Sequence, residues 1–221
     1  MTGVHKSAQQ GFSTQAVTYA QGRPDYPRQL TGWLTDALQI NSHSPVIDLG
    51  AGTGKFTRLL STVAPTLIAV EPVEAMGAQL KKQLPDVRLL SGTAEAIPLE
   101  AATADALVCA QAFHWFSTEA ALAEIHRVLK PDGRLGLVWN VRDESVDWVA
   151  AITEIITPYE GDTPRFHTGR WREAFTGEYF SAPEMTCFPY SHVGSPQEVI
   201  MDRFLSVSFI AALPPGEKAL V

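Results

Sequence analysis

The run Val46-Ile47-Asp48-Leu49-Gly50-Ala51-Gly52-Thr53-Gly54-Lys55-Phe56-Thr57 constrains this chain more than any other. It reads as an apolar strand, a tight glycine loop and the first turn of a helix. Glycines at alternate positions let the backbone turn sharply and let a ligand approach it closely. The helix that follows aims its free N–H groups and the positive end of its dipole at the loop, so an anionic or zwitterionic small molecule is expected there. A dinucleotide site reads G-x-G-x-x-G. Here Gly50, Gly52 and Gly54 give G-x-G-x-G, and Lys55 stands where the third glycine of that pattern belongs. The phosphate-binding G-x-x-x-x-G-K-[ST] pattern is absent. Asp48, just before the glycines, repels a pyrophosphate and suits a ligand with a cationic amine.

Strand and helix patterns alternate from this loop onward. Strands are expected at Val46–Leu49, Leu67–Glu71, Val87–Leu90, Ala106–Ala110 and Arg134–Trp139. Helices are expected from Lys55 to Val63, from Val73 to Leu84, and after a Ser117 cap with Leu122, Ile125 and Leu129 on one face. Lys130-Pro131-Asp132-Gly133 reads as the stop of that last helix. Apolar strands alternating with helices predict an α/β fold: a three-layer α-β-α, Rossmann-like, mostly parallel sheet. Before it, Phe12–Tyr19 with a Ser13 cap and Pro27–Gln39 read as helices joined by a stiff turn. After it, Val146–Thr157 reads as a helix and Glu184–His192 as a strand. Ser195-Pro196-Gln197-Glu198 is a capping box opening a helix to Leu205, with another turn or two over Val207–Leu213.

A length of 221 residues suits one domain with a sizeable core. The formal charge of −7 and the absence of basic runs argue against a nucleic-acid partner. The N-terminus has no apolar signal-peptide core, and no apolar stretch is long enough to span a bilayer. Cys109 and Cys187 lie far apart, which suggests neither a metal site nor a disulfide framework. The expectation is a soluble cytoplasmic protein without a membrane partner.

In open α/β sheets ligands sit beyond the carboxyl ends of the strands. Each such loop carries residues of interest: Glu71-Pro72 after strand 2, Ser91-Gly92-Thr93-Ala94-Glu95 after strand 3, and Gln111-Ala112-Phe113-His114-Trp115-Phe116 after strand 4. Together with the glycine loop they resemble the class I S-adenosylmethionine (SAM)-dependent methyltransferases, specifically the methyltransferase type 11 domains of the trans-aconitate methyltransferase-like and UbiE-like subgroup. The resemblance covers roughly residues 10–213 and is strongest over 46–140. It implies SAM as cofactor and Asp48, Gly50, Ala51, Gly52 and Gly54 as the first wall of its site. Glu71 and Pro72 then face the ribose and Met76 the adenine. Thr93, Ala94 and Glu95 follow the adenine edge, and Gln111 and Ala112 the methionyl part. His114 lies beside the transferable methyl as a candidate catalytic general base.

Tyr19 to Pro27 also matches that subgroup, where the segment folds over the cofactor. Tyr19 lines the pocket and Arg23 meets the SAM carboxylate in this reading. The whole chain, 1–221, then reads as one domain: a helical lid over 1–40, a SAM-binding core over 41–140, and a substrate-side insert with an incomplete C-terminal part over 141–221. The family's strand order is 3-2-1-4-5-7-6, with strand 7 antiparallel. Six strands can be assigned here and a seventh is expected to be missing, which leaves dimerisation across the strand-5 edge open beside a monomer. The expected partner is a small-molecule acceptor. Phe113, Trp115, Trp139, Phe166 and Trp171 suggest that it is partly apolar, and Arg165, Arg170 and Arg172 could attract a carboxylate. The rivals on the residues alone are a SAM-binding protein without transfer and a nicotinamide-dependent oxidoreductase.

Overall fold

A computed structural model describes residues 22–221. The expected Phe12–Tyr19 helix, its Ser13 cap and Tyr19 lie outside the described residues. The first described helix, α1, spans Gln29–Asp36 and buries Leu30 and Leu34. Strand β1 (Pro45–Leu49) leads through the glycine loop into α2 (Lys55–Leu60). Then come β2 (Thr66–Val70), α3 (Glu74–Gln83), β3 (Arg88–Leu90) and β4 (Ala104–Ala110). Helix α4 (Glu119–Val128) runs directly into β5 (Leu129–Val138).

These five strands form one sheet in the order β3-β2-β1-β4-β5, and every neighbouring pair is parallel. The expected order 3-2-1-4-5 is therefore present. The reason is visible in β1 and β4, which are buried along nearly their whole length and so need cover on both faces. One apolar layer forms around Ile47, Leu107, Phe113, Leu122 and Ile125; the opposite one forms around Leu34, Val46, Leu60 and Val108. In α4 the 3.6-residue spacing buries Leu122, Ile125 and Val128, each contributing about 1.5–3 kcal/mol.

Three local readings are corrected. The cap of α4 is Thr118, whose Oγ1 accepts the Ala121 N–H at 3.1 Å, and not Ser117. Lys130–Gly133 does not separate helix from strand but bulges out of β5. Ala104 pairs with Leu129 and Ala106 with Arg134, and Asp132 turns the excess chain at φ 66°. The expected strand over Glu184–His192 does not form. Pro189 removes a ladder donor there, and Met185 and Tyr190 stay exposed while Phe188 packs on the core, so the segment has no buried face to register.

Beyond the sheet lie α5 (Asp147–Ile156), a short turn of helix at Arg170–Ala174, and a helical stretch opened by the expected capping box. The Ser195 N–H donates to Glu198 Oε2 at 2.8 Å, and the Glu198 N–H to Ser195 Oγ at 3.3 Å. The stretch winds as a π-type helix over Gln197–Asp202, then α6 (Arg203–Leu205) and α7 (Ser208–Ala211). Phe204, Val207, Phe209 and Ile210 pack there against Ile156. Among the described residues, no helix is long and apolar enough to cross a membrane.

Candidate functional site

The strand order reverses between β1 and β4, and a cavity opens over their carboxyl ends, where α/β sheets hold ligands. It encloses about 1210 Å³ of space, part of it open to solvent. Its floor is the glycine loop. Gly50, Gly52 and Gly54 all have positive φ (72°, 58° and 86°). At Gly50 a Cβ would lie 2.7 Å from the Ala112 Cβ, so the loop after β1 fits against the loop after β4 only without a side chain. At Gly52 a Cβ would meet only the Met76 methyl, at 3.8 Å. Gly52 is thus bare backbone facing the cavity.

Two buried carboxylates stand in this wall. Asp48 is fully buried; its Oδ2 accepts the Thr57 hydroxyl at 2.6 Å, while Oδ1 has no hydrogen-bond partner among the described residues. Burial, with Glu71 nearby adding to it against the Thr57 bond, pushes its pKa up to about 7. Glu71 is 8% exposed at the tip of β2. Its Oε2 accepts the Gly52 N–H and its Oε1 the Val73 N–H, each at 2.8 Å. Burial raises its pKa and those two bonds oppose the rise. Each Glu71 oxygen keeps a lone pair for a further donor.

Of the residues expected from sequence to hold the cofactor, Asp48, Gly50, Ala51, Gly52, Glu71, Pro72, Met76, Thr93, Ala94, Glu95, Gln111, Ala112 and Arg23 all line this cavity. Gly54 does not; it is the left-handed N-cap of α2, and a Cβ there would meet Leu80 at 2.9 Å. The loop after β3 is braced from behind by α4. Arg127 donates to the carbonyls of Ile97 and Leu99 at 3.0 and 2.8 Å, and the Glu124 carboxylate takes the Ile97 N–H at 3.0 Å while pairing with Arg127. Sequence pattern alone reads Glu124 and Arg127 as a solvated helix face.

The segment entering α1 straps the cavity. Asp25 lies 2.8 Å from Arg58 and 3.5 Å from Lys55, and its carbonyl accepts Asn140 Nδ2 at 3.1 Å. Tyr26 meets Phe56 edge-on at 4.8 Å, and Arg23 donates to the Ser206 carbonyl at 3.0 Å. These contacts hold the half-buried Arg23 at the cavity.

A second cavity adjoins the first, and Arg23, Gln111, Trp115, Asn140 and Arg203 line both. At this junction Gln111 has φ 57°, a sparsely populated conformation for a non-glycine residue. Its N–H is held by the Val138 carbonyl at 2.8 Å. His114 faces the second cavity and not the first. The Trp139 indole N–H donates to His114 Nδ1 at 3.0 Å. Indole nitrogen is only a donor, so Nδ1 is the unprotonated nitrogen and the ring proton sits on Nε2. Burial, with Arg165 and Arg23 nearby, lowers the His114 pKa to about 3.

The aromatic residues divide. Trp115, Trp139 and Phe166 line the second cavity. Phe113 and Trp171 are core residues, 0% and 4% exposed. Trp139 packs on Trp171 at 4.7 Å and on Phe166 at 4.9 Å. Of the three arginines singled out from sequence, Arg165 lines the cavity, whereas Arg172 covers the Trp171 ring and Arg170 is exposed. Asn140, Arg142 and Arg203 line these cavities without any sequence motif to announce them.

Residues 47–137 match the Methyltransf_11 family model, described as a methyltransferase domain. The chain is similar to an uncharacterised methyltransferase-like protein of Schizosaccharomyces pombe, 42% identical over 213 residues that cover 95% of this chain and 82% of that protein. It is also similar to an uncharacterised methyltransferase of Mycobacterium tuberculosis, 43% identical over 156 residues, covering 71% of this chain and 63% of that one. Among solved structures, one assigned as an S-adenosyl-L-methionine-dependent methyltransferase of Methanococcus maripaludis superposes with a TM-score of 0.56 at 20% identity, covering 79% of this chain and 85% of that one.

Proposed function

Since the chain belongs to the methyltransferase-domain family and is a SAM-dependent methyltransferase, we propose that it moves the methyl of SAM to a small molecule held in the second cavity. The single observation that carries this reading is the pair of adjoining cavities meeting at Gln111 and Trp115. A methyl donor in one and an acceptor in the other come into contact only at that junction.

The residues of the first cavity fit SAM. The unpartnered Asp48 Oδ1 suits its ammonium group, the spare lone pairs of Glu71 suit two ribose hydroxyls, and bare backbone at Gly52 leaves room for the ligand. The Thr93–Glu95 loop then takes the adenine edge, Met76 packs on the base, and Arg23 meets the carboxylate. When bound, the sulfonium supplies a methyl carbon already activated for in-line displacement.

What remains for the chain is alignment and exclusion of water. Gln111 and Ala112 hold the methionyl end at the junction. Trp115, Trp139 and Phe166 wall the acceptor. His114, locked by Trp139 and neutral at physiological pH, presents Nε2–H as a hydrogen-bond donor that orients the acceptor.

Calorimetry with SAM tests the first half of this reading. Glu71→Ala is expected to lose about 2–3 kcal/mol of SAM affinity, the scale for bonds to a charged group. Incubation with methyl-labelled SAM and a cell extract tests the second half. Label in the small-molecule fraction supports it; label confined to protein or nucleic acid, or no transfer at all, overturns it.

A further inference from the structure

The second cavity has a charge pattern that the methyl-transfer reading does not itself require. Among the described residues, four arginines line it, Arg23, Arg142, Arg165 and Arg203, against one lining carboxylate, the exposed Glu144. Glu160 lies beside them but is divided. Its Oε1 is 3.1 Å from His167, and its Oε2 is 3.6 Å from Arg165 Nε, beyond hydrogen-bond length.

Two of the four are held by aromatic faces. The Arg142 guanidinium lies over the Phe204 ring at 5.4 Å and that of Arg165 over Phe209 at 5.1 Å. A ring beneath a guanidinium fixes its plane while leaving the in-plane N–H fork for an acceptor oxygen. Arg142 Nη1 is buried and has no hydrogen-bond partner among the described residues. Such an orphaned charged donor is costly unless something else takes it up. Burial lowers the pKa of Arg142, and burial, opposed by Glu160 and aided by Arg23 and Arg142, takes Arg165 down to about 10.

The SAM carboxylate cannot account for all this charge. Arg23 and Arg203 line both cavities and are within reach of the methionyl end, whereas Arg142 and Arg165 line only the second. Accepting the two-cavity reading above, we propose that the methyl acceptor carries an anionic group, a carboxylate or a phosphate, that docks on Arg142 and Arg165. Its remaining body lies against Trp139 and Phe166, and its reacting atom points to Gln111 and Trp115. Bidentate geometry on two propped guanidinium forks supplies both affinity and register.

The test is calorimetry on the protein saturated with S-adenosylhomocysteine, at constant ionic strength. The probes are glutarate, phenyl phosphate and the neutral glutaramide. At least one of the two anions is expected to bind tenfold or more tightly than glutaramide, and the better of the two separates carboxylate from phosphate. Arg142→Gln and Arg165→Gln are each expected to weaken that anion tenfold or more, with S-adenosylhomocysteine affinity changed less than twofold. Arg142→Lys, which keeps the charge but not the fork, should fall between wild type and Arg142→Gln. Ligand-free melting temperatures of the variants above that of the assay show that any loss of anion binding comes from folded protein. Equal binding of anions and amide overturns the proposal. So does a matched loss of S-adenosylhomocysteine affinity in the Gln variants, which would hand these arginines to the cofactor. Failure of wild type to bind S-adenosylhomocysteine at all strikes the methyltransferase reading first and is recognised before any anion is added.

Discussion

The two cavities are built by opposite means. The first is backbone and carboxylate: Gly50 and Gly52 at positive φ, Asp48 and Glu71, all at the ends of adjacent parallel strands. The second is guanidinium and aromatic ring, gathered from residues 23, 111–115, 139–144, 165–167 and 203–208. A ligand bridging them meets acid at one end and base at the other. The contrast teaches that one cavity can be built from main-chain geometry that tolerates little change, while its neighbour, where we propose the acceptor to sit, is built from side chains gathered by tertiary packing.

The sharpest way to break that contrast is to disturb the backbone wall. Gly50→Val is expected to be the most damaging single change. It places a β-branched residue at φ 72° and drives a Cβ to 2.7 Å from Ala112. The left-handed conformation and the overlap together should cost about 3–5 kcal/mol of stability, read by urea unfolding, with SAM binding lost. A variant as stable as wild type would mean that the two loops can part freely.

The acid end makes a pH prediction. Asp48 has its pKa raised from 3.8 to about 7 in the fold. The folded state therefore keeps a proton that the unfolded chain has lost. The associated stability is present below pH ~4 and is lost as pH rises to ~7, a fall on the order of 4 kcal/mol at most. Asp48→Asn should flatten that part of the curve in the ligand-free protein. A ligand ammonium beside Asp48 favours the carboxylate, so SAM affinity should rise with pH up to ~7 in wild type and stay level in the variant. Parallel curves for the two proteins would remove the amine from Asp48.

The unequal legibility of the two cavities follows from their construction. A glycine loop, an acid one strand later and a short polar loop after each further strand recur at βα spacing, so sequence order maps onto one cavity wall. The alternation of apolar strands and helices foretold a parallel sheet, whereas the five-strand order came with the family resemblance, since β3 passes to β4 without a helix between them. Arg142, Arg203 and Asn140 obey no period and come together only through tertiary packing. Glu124 and Arg127 look like a solvated i,i+3 pair until the loop after β3 is seen folded back on them. Glu184–His192 misled because its alternating residues resemble a strand, whereas Pro189 and the lack of a buried face forbid one.

That brace offers a smaller test. Arg127→Ala removes two bonds to the carbonyls of Ile97 and Leu99 and leaves Glu124 without its cation. A loss of about 1–2 kcal/mol in stability is expected, with a weaker grip on adenosine because the Thr93–Glu95 loop loosens. Adenosine competition against bound S-adenosylhomocysteine reads the second effect. Unchanged competition would make the brace purely structural.

The least disruptive change asks what His114 does. Glutamine can accept the Trp139 indole N–H through its amide oxygen and offer an amide N–H toward the cavity, reproducing the neutral imidazole with its proton on Nε2. With an acceptor found by label transfer, His114→Gln should therefore keep kcat within about tenfold, with an unchanged pH profile. A general base removed in this way should cost about 10²–10⁴ in rate. His114→Leu separates the two effects further. It leaves the Trp139 N–H without its acceptor, so about 1–3 kcal/mol of stability should go with it, along with the orientation of the acceptor. A pKa near 3 keeps the ring neutral across the working range, so no inflection near pH 6.5 should belong to this residue. An inflection there that vanishes in His114→Gln would restore the histidine as a base, and would show the acceptor's proton leaving through a ring whose Nδ1 is held by Trp139.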